Sequence, residues 1–136
     1  MKVLVDTCVW SLALRRTEAA APALVEELTE LVGELRVQLI GPIRQELLSG
    51  IKVKRQFSTL KKYLAAFPDL PLDSADFELA AEFFNLARSK GIQGSNTDYL
   101  ICAVAYRHQL PIFTTDQDFE RYASVLPIRL YQPRLR

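Results

Sequence analysis

Two cysteines and one histidine are all that 136 residues contain of the thiol and imidazole chemistries. A pair of thiols builds no disulfide framework, so a reducing cytoplasm is the expected location. No apolar run approaches the ~20 residues needed to cross a bilayer. Met1-Lys2-Val3-Leu4-Val5-Asp6 lacks the long apolar core of a secretion signal, and no membrane association is expected. An excess of one charge is missing as well. Seventeen Lys and Arg stand against 16 Asp and Glu, and a pI of about 7.8 argues neither for nor against nucleic acid. Repeats, low-complexity tracts and dividing linkers are absent, so residues 1–136 are expected to form a single domain. What is present is an ordinary apolar content of 49% with 24% charged residues, which excludes a disordered or collagen-like chain. A chain of this length buries roughly two-thirds of its unfolded surface.

The charges are unevenly placed. Residues 51–62 carry Lys52, Lys54, Arg55, Lys61 and Lys62 with no acid. From Arg121 onward come Arg121, Arg129, Arg134 and Arg136, again with no acid, while glutamates gather at Glu18, Glu26, Glu27, Glu30 and Glu34. Such a run on a helix is ordinarily a solvated face. It gains meaning only where nearby chemistry wants an anion.

Val3-Leu4-Val5 is a continuous apolar run, the pattern of a buried parallel strand over Lys2 to Asp6. A short helix is expected over Thr7 to Leu14 with Asp6 or Thr7 as cap. A second runs from about Ala20 to Glu34, with Pro22 in its first turn and Leu24, Leu28, Leu31 and Leu35 in 4-3-4 spacing. Arg36 to Ile40 reads as a strand, and Pro42 to Leu48 as a helix opened by proline. Two longer helices carry stripes, one at Val53, Phe57, Leu60, Leu64 and Phe67, the other at Phe77, Ala80, Phe84 and Ala87. Asp73-Ser74 opens the second, which closes near Gly91. A very short strand is expected at Leu70-Pro71-Leu72. The chain ends with a helix over Asn96 to His108, a strand over Leu110 to Phe113, a helix over Gln117 to Ala123 and a strand over Ile128 to Tyr131. Strands alternating with helices indicate an α/β domain with a parallel sheet covered on both faces.

Four carboxylates sit where the pattern favours apolar residues or the edge of the sheet. Asp6 ends the most apolar strand, and open α/β sheets build their sites at the carboxyl ends of strands. Glu46 lies beside the inward stripe of its helix. Asp98 precedes Ile101, Cys102 and Ala105 at i+3, i+4 and i+7, which puts it on the buried face of an apolar helix. Asp116 follows the Leu110–Phe113 strand. Each also has a plain structural reading, as a helix cap or as an acid favoured by a helix dipole. Together they are expected at one edge of the sheet, where like charges repel unless a cation neutralises them. Oxygen donors without His or Cys point to Mg²⁺ or Mn²⁺ rather than Zn²⁺. Cys8 and Cys102 are expected to be structural thiols, and His108 a surface or capping residue.

Val3-Leu4-Val5-Asp6-Thr7, Pro42-x-x-x-Glu46-Leu47-Leu48-x-Gly50, Asp98-x-x-Ile101-x-Ala103 and Thr114-Thr115-Asp116-x-Asp118-Phe119 follow in that order across the chain. In order and spacing the sequence resembles a PIN-domain ribonuclease, more narrowly a VapC-type toxin of a toxin–antitoxin pair. The resemblance implies a PIN-like α/β/α sandwich with about five parallel strands in the order 3-2-1-4-5, to which the two striped helices would add a helical hairpin. It also implies a metal-dependent endoribonuclease, a homodimer and a small antitoxin partner. Asp6, Glu46, Asp98 and Asp116 match the family's acidic quartet, and Thr115 a supporting hydroxyl.

On this reading Asp6, Asp98 and Asp116 are the metal ligands, with Glu46 completing the catalytic set. Thr7, Ser11, Asn96, Thr115 and Asp118 are expected around them. Lys52, Lys54 and Arg55 follow the Glu46 helix and would hold the RNA backbone. The two striped helices, adjacent in sequence, should pack as a hairpin. Their aromatics either enter the core or line a groove for an antitoxin helix.

Other classes fit less well. A haloacid-dehalogenase-type phosphotransferase wants Asp-x-Asp after the first strand, where this chain has Asp6-Thr7-Cys8. A receiver domain wants paired acids there and an acceptor Asp after the third strand. The alternative that remains is a non-catalytic RNA- or protein-binding module of the same fold.

Overall fold

The computed structural model describes residues 1–14 and 22–134. Glu18, Ala20 and Arg136, and with them the expected start of the second helix, lie outside the described residues. At the centre are three parallel strands, β1 (Val3–Val5), β2 (Val37–Gln38) and β3 (Ile112–Phe113), in the order β2-β1-β3. Val3 is in register with Val37, and Leu4 with both Gln38 and Ile112. Single bridges extend the sheet at each side, Leu39 to Asp69 and Ile112 to Leu130. The backbone therefore runs in the expected order 3-2-1-4-5, but its outer positions are reduced to one bridge each. Proline explains the shortness on the Asp69 side. Pro68 and Pro71 flank the bridge and have no N–H to donate to a ladder.

Seven helices cover the sheet among the described residues: α1 (Thr7–Leu14), α2 (Pro22–Gly33), α3 (Gly41–Leu48), α4 (Lys54–Leu64), α5 (Ser74–Ser89), α6 (Asn96–Arg107) and α7 (Asp118–Ala123). The most deeply placed is α6, buried continuously from Tyr99 to Ala105. Every strand residue but Gln38 is buried, as a parallel sheet between two helical layers requires. Gly91, at φ +77°, ends α5 in the left-handed conformation, and the Ile92 N–H returns to the Ala87 carbonyl at 2.9 Å.

The two striped helices follow one another as expected, but their main partners differ. α5 packs along α6, whereas α4 leans on α3. In α4 only Leu64 is buried, and Phe57 and Tyr63 are exposed. In α5 the buried residues include Phe83 and Ala87, while Phe77 faces solvent. Periodicity identifies an apolar face without identifying what covers it.

Among the described residues of the basic tail, Arg121 and Arg134 are paired with acids. Arg134 bonds to the fully buried Glu27 and to Glu34, and lies 3.7 Å from Glu30, which fastens this residue to α2. His108 forms the C-cap of α6 and sits 3.2 Å from Asp76 at the start of α5. Both cysteines are free thiols. Among the described residues no helix is long and apolar enough to cross a membrane.

Candidate metal centre

Asp6 is the first residue after β1. Its N–H completes the ladder to Phe113 at 2.9 Å, and its carbonyl accepts from Val9 and Trp10 at the start of α1. The backbone thus caps the helix and leaves the side chain mostly uncommitted to it. Asp6 as a whole is only 7% exposed. Oδ1 accepts from the Thr7 N–H at 2.8 Å, and Oδ2 accepts from the Thr114 hydroxyl at 2.9 Å. Cys8 Sγ approaches Oδ2 at 3.5 Å and Thr114 Oγ1 at 3.4 Å, and accepts the Thr115 N–H.

The loop after β3 brings in the next acid. The Asp116 N–H donates to Thr114 Oγ1 at 3.0 Å, and Asp116 Oδ1 accepts from the Asp118 N–H at 2.9 Å. A polar chain therefore runs Asp6–Thr114–Asp116–Asp118 along the carboxyl edge of β1 and β3. From α3, Glu46 accepts the Thr7 hydroxyl at 3.0 Å. Thr7, Pro42, Gln45, Glu46, Ser49 and Thr97 line a recess of about 410 Å³ beside it.

Asp98 enters from the first turn of α6, which Ser95 caps by accepting the Asp98 N–H. Tyr122, fully buried on α7, donates its phenol to Asp98 Oδ2 at 2.7 Å. Burial pushes the Asp98 carboxyl up. The Tyr122 bond works against this, and the negative charges of Asp116 and Asp6 add to the rise. The net direction is upward. Three of the four acids therefore share one electrostatic field, and Glu46 joins them through Thr7.

A hard divalent cation fits this donor set. The donors are carboxylate and hydroxyl oxygens, and among the described residues no Lys or Arg ion-pairs with any of the four acids. Among those residues, too, no three His, Cys, Asp or Glu side chains close tightly enough to hold an ion unaided.

The remaining sequence candidates are distributed as follows. Thr115 is exposed and contributes its N–H to Cys8, while the hydroxyl on Asp6 belongs to Thr114. Asp118 holds Asp116 through its backbone and pairs with Arg121 at 3.3 Å through its side chain. Asn96 is exposed at the start of α6. Ser11 and Arg55 line a larger groove of about 900 Å³ between α1, α3 and α4, together with Leu14, Leu47, Leu60 and Tyr63. Lys52 and Lys54 are exposed ahead of it. Sequence reasoning missed Thr114, Ser95, Thr97 and Tyr122. For Tyr122 a signal existed: it lies three residues after Phe119 on the inward face of α7, and a buried phenol needs a partner.

The PIN domain profile matches residues 3–125. A VapC ribonuclease of Mycobacterium bovis and Ribonuclease VapC11 of Mycobacterium tuberculosis are each 34% identical over 127 residues, covering 90% of this chain and 92% of their own. Among solved structures, FitAcB from Neisseria gonorrhoeae superposes with a TM-score of 0.77 at 24% identity, covering 96% of this chain and 97% of that one. VapBC2 from Rickettsia felis, bound to a DNA fragment from its promoter, gives 0.78 at 17% identity, with coverage of 96% and 98%.

Proposed function

The chain belongs to the PIN domain family, and from that premise we propose that it is a VapC-type toxin, a Mg²⁺-dependent endoribonuclease whose active site is Asp6, Glu46, Asp98 and Asp116. The observation that carries the reading is Asp98, a part-buried carboxylate bonded by Tyr122 in the field of Asp6 and Asp116, with which no Lys or Arg ion-pairs among the described residues. In this reading Asp6, Asp98 and Asp116 would hold the ion, directly or through its waters. When bound, it supplies positive charge to the phosphoryl oxygens and lowers the pKa of a coordinated water. The chain's own groups do the rest. Thr7 fixes Glu46, and Thr114 fixes Asp6, so that both carboxylates keep one orientation. Glu46, exposed beside its recess, is placed to hold a proton or orient a water at the scissile phosphate. Lys52, Lys54 and Arg55 hold the RNA backbone without reading its sequence.

A small antitoxin is the proposed protein partner, seated in the groove between α1, α3 and α4. Support comes from the 34% identical VapC ribonucleases and from fold neighbours such as a toxin–antitoxin complex from Klebsiella pneumoniae, with a TM-score of 0.62. A homodimer and a cytoplasmic location complete the proposal.

The test is cleavage of a single-stranded RNA by the purified chain with Mg²⁺ and with EDTA, alongside Asp6→Asn. Cleavage that requires Mg²⁺ and disappears in Asp6→Asn is expected. RNA bound but never cut, under Mg²⁺ or Mn²⁺, would favour a non-catalytic binding module instead.

A further inference from the structure

We propose that Tyr122 is a positioning residue for Asp98, held on target by the missing side chain of Gly94; this rests on the reading of Asp98 as a metal ligand. Gly94 is not required by its backbone, which lies outside the left-handed region. It is required by space. A Cβ at Gly94 would lie 2.3 Å from the Tyr122 phenol oxygen, 2.8 Å from Cζ and 3.0 Å from Cε1. The phenol therefore rests directly on the main chain of the segment leading into α6.

The other sides of the ring are closed as well. Phe119 packs edge-on at 5.1 Å between centroids, and Tyr99 lies tilted at 5.1 Å. Tyr99 in turn meets Phe84 at 5.4 Å, and Phe84 carries the Arg88 guanidinium over its face at 5.7 Å. A ring fixed on three sides leaves its hydroxyl little choice of direction. It points at Asp98 Oδ2, 2.7 Å away. A donor to a carboxylate makes one of the stronger hydrogen bonds, and Asp98 cannot rotate without giving it up. α7 thereby sets the orientation of an acid that belongs to α6.

A tyrosine that merely fills the core would use the same packing, so the test reads metal binding rather than stability. Mn²⁺ alone is titrated into the metal-free full-length protein, and free Mn²⁺ is followed by its paramagnetic resonance signal. Tyr122→Phe keeps the ring and removes the donor. Its Mn²⁺ dissociation constant is expected to rise about tenfold, the scale of lost outer-shell partners. Gly94→Ala keeps Tyr122 and pushes its oxygen aside, and the same weakening is expected. Placed in the Tyr122→Phe background, Gly94→Ala should add less than it does alone, because the closest clash has gone. Asp98→Asn separates the two claims. If Asp98→Asn loses Mn²⁺ while Tyr122→Phe and Gly94→Ala bind as wild type does, Tyr122 is a core residue and the proposal is wrong. If Asp98→Asn itself binds as wild type, the reading of the site falls and the positioning role falls with it.

Discussion

At Asp98, burial raises the proton affinity and two neighbouring acids raise it further, while one phenol opposes them. A carboxyl whose folded-state pKa lies above its unfolded value destabilises the fold once ionised, and that cost disappears as pH falls through the folded value. Metal-free Asp98→Asn should therefore melt at or above the wild-type temperature at pH 7, with the difference closing toward pH 4. Asparagine's Oδ1 can still accept from Tyr122, so no buried group is stranded. A Tm several degrees lower in EDTA at pH 7 would contradict the repulsion argued here. At this scale the acids were legible because each broke the hydrophobic pattern around it. The choice between Thr114 and Thr115 was not, since both follow the same strand and only the strand's end decides which hydroxyl turns to Asp6.

Among the elements, the α5–α6 pair shows how an apolar stripe finds its partner. Asp73 and Asp76 form a capping box at the start of α5, and Asp76 is fully buried. Burial would raise the Asp76 carboxyl, but the Asp73 N–H and Arg107 outweigh it and hold it below the usual range. Arg107 donates to Asp76 at 2.8 Å, with His108 at 3.2 Å, both at the far end of α6. The two helices are thus pinned where the start of one meets the end of the other. Asp76→Ala should cost about 1–2 kcal/mol in denaturant unfolding, because the Asp73 N–H and Arg107 lose their buried acceptor while Asp73 still caps the helix. Mn²⁺ affinity should stay unchanged, since the change lies at the other end of α6 from Asp98. The sequence marked Asp73-Ser74 as a helix start, but pairing with residues 107 and 108 is a tertiary fact that no local pattern encodes. The same limit explains why α5 was expected against α4.

Across the whole molecule, the sheet order was readable and the tail was not. Alternation of strands and helices implied the parallel sheet, and proline at its margins shortened what alternation promised. Glu27 and Arg134 are 107 residues apart, and only the fold makes them partners. Burial alone would raise the Glu27 carboxyl, yet bonds from Tyr131 and Arg134 bring it to about 2 from 4.5. A depressed carboxyl contributes stability above its unfolded pKa and loses it as pH falls toward the folded value. That difference corresponds to about 3 kcal/mol at neutral pH. Glu27→Gln should therefore lower Tm by roughly 10 °C at pH 7, with the gap narrowing between pH 4.5 and pH 2 as wild type loses the same term. A gap that stays constant across that range would mean that Glu27 acts through packing rather than charge.

The claim on which everything functional depends is that one edge of the sheet binds a divalent cation through Asp6, Asp98 and Asp116. Anomalous diffraction from a crystal soaked in Mn²⁺ tests it directly. One or two peaks between Asp6 and Asp98, with Asp116 and Glu46 beside them directly or through water, are the expected result. Peaks elsewhere, or none at a soak concentration that supports RNA cleavage in solution, would contradict the account.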